Sequence, residues 1–270
     1  MNTQAVYAEI KQTKKYHPIC DDTILRISGE EAAKYKSEKD AVKSAKARLH
    51  RIAGAFVDAQ SIRRAEALIH QPEDGAERVR ALLKLHASSL ERLGFVEEMY
   101  RDILRCAMPG ARVLDIACGF NPFVLPLLPA GAVSHYTAID IHTDCVRLVN
   151  AFFAARGISG NALAGDILHS VPVEAVDIAL LCKILPLLEQ QRKGSALRVV
   201  GALQAKLFAI SFPIRSLSGK NVGMYGTYRR FMEETFFAAD YRCVFEKEYA
   251  NELLFVIARA TEISPGAESL

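Results

Sequence analysis

The stretch Arg112–Pro122, RVLDIACGFNP, constrains the fold more than any other. Val113, Leu114 and Ile116 surround an acid, Asp115, and the small residues Ala117, Cys118 and Gly119 follow before Asn121-Pro122. This is the pattern of a buried strand that runs into a tight turn. Gly119 and its small neighbours leave room for backbone N–H groups to approach a ligand. An acid at the strand end offers acceptors to a cationic amine. Taken alone the run is equally an ordinary strand and turn, so the rest of the chain has to decide.

Downstream, strand-like and helix-like segments alternate. Strands are predicted at Val113–Ile116, Tyr136–Ile139, Ala162–Ala164, Val176–Leu181 and Lys206–Ser211. Helices are predicted to open at Val124–Leu128 and to span Cys145–Arg156 and Leu185–Gln191, and Cys243–Glu248 with Leu253–Arg259 read as a final antiparallel pair. Such alternation implies an α/β fold with a doubly wound, Rossmann-like sheet and ligands at the carboxyl ends of its strands. Asp115, Asp140 and Asp166 fall at three of those ends. Each alone is as readily a helix cap, but the three in register point to a nucleoside. An acid after the second strand accepts from ribose hydroxyls, and one after the third can accept from an adenine amino group. A nicotinamide dinucleotide would require G-x-G-x-x-G in the first turn, which ACGFNP matches poorly. That turn resembles instead the first motif of S-adenosylmethionine methyltransferases, Asp-x-Gly-x-Gly-x-Gly, with Ala117 for the first glycine and Asn121-Pro122 in place of the third.

The N-terminal third reads as helical. Ser28–Glu31 and Ser37–Asp40 each resemble a capped helix start. In the segment EKDAVKSAKARLHRIAGAF, Val42, Ala45, Leu49, Ile52 and Phe56 form one apolar stripe. Lys39, Lys43, Lys46 and His50 repeat with the same period on another face, with Arg48 and Arg51 beside them. Acids are scarce after Asp40, so i,i+4 pairs do not neutralise this face. A surface of one sign suits nucleic-acid phosphate, the competing reading being a plain solvated face. Arg63 and Arg64 extend it. Gln71–Gly75 reads as a subdomain seam, and residues 76–106 as two helices broken near Gly94. His86, Ser88 and Arg92 lie on the first of these two, where the Arg92 guanidinium can grip a carboxylate bidentately.

Bulk properties narrow the class. The net charge of the 270 residues is only +3, so any nucleic-acid surface must be local. The six cysteines form no C-x-x-C pair and no His/Cys cluster of zinc spacing, which suits buried free thiols in a reduced, cytoplasmic setting and no metal site. No secretory leader is recognised at the N-terminus and no apolar run reaches membrane-span length, so no membrane partner is expected.

Five motifs then carry a family resemblance: LHRIAGAF (49–56), HASSLER (86–92), DIACGFNP (115–122), KILPLLEQQ (183–191) and SFPIRSLSGKNVGM (211–224). Together they resemble the aminoglycoside-resistance 16S rRNA methyltransferases that modify guanine N7 in the ribosomal decoding site. The resemblance implies a helical rRNA-docking domain over residues 1–105 that also contributes to the cofactor site. Residues 106–270 would form the S-adenosylmethionine-dependent methyltransferase domain, in a monomer acting on 16S rRNA within the 30S subunit. Phe56, His86, Ala87, Ser88 and Arg92 are similar to positions lining the cofactor from the N-terminal side. Ala117, Asp140, Asp166, Ile167, Cys182 and Gln191 are similar to the core-side positions. Arg92 is thereby expected at the methionine carboxylate, Asp140 at the ribose, Asp166 with Ile167 at the adenine, and Cys182 in an apolar wall.

Guanine N7 has a free lone pair, so no catalytic base is named and alignment supplies the rate. The RNA-facing set is expected to be Lys39, Lys43, Lys46, Arg48 and Arg51, with Lys183, Arg215 and Lys220 on flanking phosphates. Phe212 or Tyr225 is a candidate to stack on the extruded base, the competing reading for each being core packing, and Glu189 either accepts from its Watson–Crick edge or caps a helix. The competing readings are a methyltransferase acting on another rRNA position or a small molecule, and a non-enzymatic RNA-binding protein.

Overall fold

The computed structural model describes residues 2–53, 56–71, 75–214 and 224–262. The chain begins with α1 (Thr3–Lys11), α2 (Asp21–Lys34) and α3 (Glu38–Ile52), which enclose a core of their own including Ile10, Ile24, Ile27, Val42 and Leu49. Helix α2 starts at Asp21 rather than at Ser28. Asp21 and Asp22 occupy its first turn, where carboxylates complement the helix dipole, and Ser28 is buried inside it. Ser37 does begin α3, its hydroxyl accepting from the Asp40 amide at 3.4 Å. The helix stops at Ile52, so Phe56 leaves the stripe.

Next come α4 (Ala59–Ile69), α5 (Ala76–Leu83), α6 (Ala87–Arg92) and α7 (Val96–Arg105). Residues 76–105 thus hold three helices, with a further break at Lys84–His86. Ile62, Leu82, Val96 and Met99 share a core with the sheet residues Val113 and Tyr136. The α1–α3 core ends at Ala53, and Val57 and Ile62 already pack in the core shared with the sheet.

The strands are β1 (Ala111–Ile116), β2 (Val133–Asp140), β3 (Gly160–Ala164), β4 (Val176–Cys182), β5 (Ala205–Pro213), β6 (Tyr241–Glu248) and β7 (Glu252–Arg259). Among the described residues they form one sheet of order β3-β2-β1-β4-β5-β7-β6. The first five run parallel, and β7 pairs antiparallel with both β5 and β6. Helix α8 (Thr143–Arg156) packs with the α4–α7 layer, while α9 (Leu185–Gln191), α10 (Ser195–Ala202) and α11 (Met224–Thr235) follow later in the chain. On the second face Leu114, Leu181, Val199, Phe208 and Phe255 form a separate core. β1 is buried at every position but Arg112, as a parallel strand covered on both faces must be, and Asp115 is the one acid in that buried run. After β1 the chain forms a 3-10 turn over Asn121–Leu127 instead of an α-helix, because Pro126 removes a helical donor. The α10 helix escapes the sequence pattern because Val199, Val200 and Gly201 give it weak local helix preference. Strand order reverses between β1 and β4, which opens a crevice at their carboxyl ends. No described helix is long and apolar enough to cross a membrane.

Candidate active site

The crevice is built around the loop that leaves β1. Ala117 and Gly119 both adopt left-handed backbone, with φ 57° and 49°. For Ala117 this conformation costs roughly 1–2 kcal/mol, a strain typical of functional loops. Gly119 is required twice over: its φ is positive, and a Cβ there would approach the His86 ring to 2.7 Å. The Gly119 amide donates to Asp140 Oδ2 and the His142 amide to Asp140 Oδ1, each at 2.8 Å. Gly165 N donates to the Asp140 carbonyl at 3.0 Å, bringing the loop after β3 alongside.

The α4–α7 side closes on this loop through aromatic rings. His86, the N-terminal cap position of α6, lies 6.0 Å from Phe56 and 5.3 Å from Phe120 between ring centroids. Ala87 N donates to the Phe56 carbonyl at 2.9 Å. Burial, with the positive charge of Arg92 behind it, lowers the His86 pKa to about 3, so the ring is neutral.

Beneath the loop lies a buried polar cluster. Tyr136 Oη donates to Asp115 Oδ2 at 2.8 Å, while Asp115 Oδ1 has no protein partner. Burial raises the Asp115 pKa to about 7. Arg92 has no exposed surface. Its Nε and Nη2 donate to Glu252 at 3.3 and 3.0 Å, and Nη1 donates to Asn121 Oδ1 at 2.5 Å. Burial pushes the Glu252 carboxyl up, but Arg92 and Lys183 outweigh it and hold the group below its usual range. Ser211 Oγ also donates to Glu252. Cys182 is buried beside this cluster, and burial pushes its thiol up to about 12.

At the next strand end Asp166 and Ile167 are buried, and the Leu168 amide donates to Asp166 Oδ1 at 2.9 Å. The other carboxylate oxygen is held by Arg26, which also donates to Gln191 Oε1. Arg26, Asn121 and Glu252 are site residues that sequence reasoning did not single out. Arg26 reads locally as half of an i,i+4 surface pair with Glu30. The one local hint for Glu252 is an acid opening an apolar strand.

The cationic residues divide. Lys39, Lys43 and Arg51 are exposed on α3. Lys46 Nζ lies 3.4 Å from Glu9, an exposed pair worth little. Arg48 is different: it donates to Glu31 and Glu30 of α2, both at 2.6 Å, so acids from another helix neutralise it. Lys183, with φ 56° just past β4, donates to Ser88 O at 3.3 Å and to Glu91 Oε2 at 2.6 Å. It faces protein carboxylates rather than an open phosphate surface. Arg215 and Lys220 lie outside the described residues.

Three expectations for the target base are corrected or narrowed. Phe212 is fully buried and stacked on Tyr228 with 4.5 Å between ring centroids, so its ring faces are taken up by core packing. Glu189 caps α10, accepting from the amides of Gly194 and Ala196 at 2.8 and 2.7 Å. Tyr225 remains partly exposed and donates to Glu246 at 2.7 Å. The cysteines also differ from a uniformly buried set, since Cys243 is exposed and Cys106 half-buried.

Residues 12–256 match the family described as ribosomal RNA methyltransferase (FmrO). The chain is 36% identical over 259 residues to a 16S rRNA (guanine(1405)-N(7))-methyltransferase of Serratia marcescens, covering 96% of this chain and 99% of the relative. It is 29% identical over 260 residues to a protein of the same name from Micromonospora echinospora, with 93% and 94% covered. Among solved structures it is similar to the 16S rRNA methyltransferase RmtF in complex with S-adenosyl-L-homocysteine, with TM-score 0.87, 36% identity and coverage of 96% and 99%. It is also similar to the 16S rRNA methylase RmtB, with TM-score 0.82, 33% identity and the same coverage.

Proposed function

The chain belongs to the ribosomal RNA methyltransferase (FmrO) family, and from that premise we propose that it methylates guanine N7 in the decoding region of 16S rRNA, within the 30S subunit, from S-adenosylmethionine. The guanine is the one numbered 1405 in the names of its relatives, and the modification confers aminoglycoside resistance. The observation that carries this reading is the acceptor set at the crevice. The partnerless, buried Asp115 Oδ1 suits an ammonium group, and the carboxylates of Asp140 and Asp166 suit ribose hydroxyls and an adenine amine. That set fits a nucleoside bearing an amino acid.

In this reading Arg92 takes the methionine carboxylate with the Nη1 hydrogen not given to Asn121. Phe56, His86, Ala87, Ser88 and Ala117 line the cofactor around the first loop, Asp140 holds the ribose, and Asp166, Ile167, Cys182 and Gln191 line the remainder. S-adenosylmethionine, when bound, supplies a methyl group activated by a sulfonium. N7 needs no deprotonation, so no side chain acts as a general base. The protein aligns the two partners, an effect that reaches roughly 7–11 kcal/mol in favourable cases. In A-form RNA the N7 edge lies in a deep, narrow groove, so the guanine must be taken out of its stack.

Residues 1–105 serve rRNA docking and reach into the cofactor site, and 106–270 form the methyltransferase domain. Lys39, Lys43, Lys46 and Arg51 bind phosphate on the docking face, with Arg215 and Lys220 as further contacts. Arg48 and Lys183 leave that set because carboxylates already neutralise them. The protein works as a cytoplasmic monomer. A small-molecule acceptor accounts poorly for the one-signed α3 face. The test is transfer of labelled methyl to purified 30S subunits, followed by borohydride and aniline cleavage and primer extension. A stop at the expected guanine supports the reading; label in small molecules alone refutes it.

A further inference from the structure

The carboxyl ends of β2 and β3 are gripped by a segment more than a hundred residues away in sequence. Thr143 N donates to Pro18 O at 2.7 Å and Cys20 N to Ile141 O at 2.8 Å, while Ile19 and His142 form an antiparallel bridge. These contacts hold the residues just after Asp140. Two turns into α2, Arg26 reaches the β3 end. Its Nε and Nη2 both lie 2.8 Å from Asp166 Oδ2, and Nη2 also donates to Gln191 Oε1 at 2.9 Å. Nη1 stands 3.5 Å from Glu30. The side chains of Arg26 and Asp166 are only 8% and 4% exposed.

We infer that Arg26 is a positioning residue of the cofactor pocket, fixing the Asp166 carboxylate and the Gln191 amide in one guanidinium fork. The inference rests on the reading of Asp166 and Gln191 as cofactor-lining residues. A carboxylate this buried is kept in place by the charged hydrogen-bond donors that meet it. With Oδ2 held by Arg26 and Oδ1 taking the Leu168 amide, the carboxylate can present its remaining lone pairs in one fixed direction. Gln191 is fixed in the same way: its oxygen meets Arg26 and its nitrogen donates to Leu187 O at 3.2 Å. The planar fork spans two acceptors on different elements, the turn after β3 and the end of α9, which a lysine ammonium cannot do with the same geometry. The adenine end of the pocket is therefore set from α2, outside the sheet that carries the acids.

The experiment uses the full-length protein, Arg26→Ala and Arg26→Lys. S-adenosylhomocysteine binding is measured by calorimetry, and KM and kcat for S-adenosylmethionine are measured on 30S subunits. Arg26→Ala is expected to raise Kd and KM about tenfold, the scale of one lost charge-assisted hydrogen bond, with kcat at saturation within about twofold. Arg26→Lys is expected to fall between, and Gln191→Ala to weaken binding less in the Arg26→Ala background than alone. Should Arg26→Ala fail to fold, Arg26→Lys carries the test. A variant that lowers melting temperature yet keeps wild-type Kd and KM overturns the inference and leaves Arg26 a structural ion pair. Wild-type protein that does not bind S-adenosylhomocysteine overturns the cofactor reading itself, and this assignment with it.

Discussion

The exposed face of α3 and the buried or half-buried arginines Arg26, Arg48 and Arg92 carry the same sign of charge in opposite surroundings. Lys39, Lys43 and Arg51 stand in solvent. Arg26, Arg48 and Arg92 each meet carboxylates of other elements. A cation in solvent keeps its charge available for phosphate, and its own contribution to stability is small. A cation without solvent is bound by its partners, and removing either member strands the other. Under the proposed function the first group is available to rRNA phosphate, while Arg26 and Arg92 are tied to carboxylates at the crevice and Arg48 ties α3 to α2.

The comparison breaks most sharply with charge reversal. Changing Lys39, Lys43 and Lys46 together to Glu is expected to abolish 30S methylation while leaving S-adenosylhomocysteine affinity and melting temperature as in wild type. Residual methylation at wild-type rate would remove α3 from substrate binding. Arg92→Ala should instead lower stability, by about 3–5 kcal/mol in urea titration, because Glu252 remains buried with only Lys183 and Ser211 beside it. A loss below about 1 kcal/mol would mean that water or a neighbouring group rescues Glu252.

A smaller effect is expected at Asp140. Asp140→Ala removes two amide acceptors and the proposed ribose contact, and calorimetry should show cofactor affinity reduced about tenfold. An unchanged Kd would sink the ribose assignment.

The pH dependence of stability sharpens the picture of the buried cluster. Burial raises the folded pKa of Asp115 to about 7, above the ordinary 3.8. The protonated form is thus favoured in the fold, and the associated stability is complete below about pH 4 and lost as pH rises through about 7. Asp115→Asn stays neutral, so its stability should gain on wild type as pH rises from about 4 to about 7, by at most about 4 kcal/mol. A pH-independent difference would show that Asp115 is ionised throughout. Glu9→Gln should have the smallest effect, under about 1 kcal/mol, since its pair with Lys46 is long and exposed.

Much of the architecture was legible because it is written in local patterns. The runs around Asp115, Asp140 and Asp166 marked the ends of β1 and β2 and the turn after β3, and the apolar stripe of Val42, Ala45 and Leu49 is the buried face of α3. The misreadings share a cause. Arg48 looked unneutralised because its acids lie on α2, not within four residues. Phe212 stood between base stacking and core packing because a strand residue near a binding loop carries no local mark of which face is covered, and the structure packs it in the core. Glu189 stood between a base contact and a helix cap because its amide partners belong to the helix after it, and the cap is what forms.

Sequence by itself determined the alternating strands and helices, the acids at strand ends and the single-signed helical face, because each depends on residues a few positions apart. Only the tertiary structure decided which charges are free. Arg26 meets Asp166 and Gln191 across 140 and 165 positions, and Arg92 meets Glu252 across 160. Burial converts such meetings from weak surface attractions into fixed pairs, and no local periodicity records which distant side chain will be there.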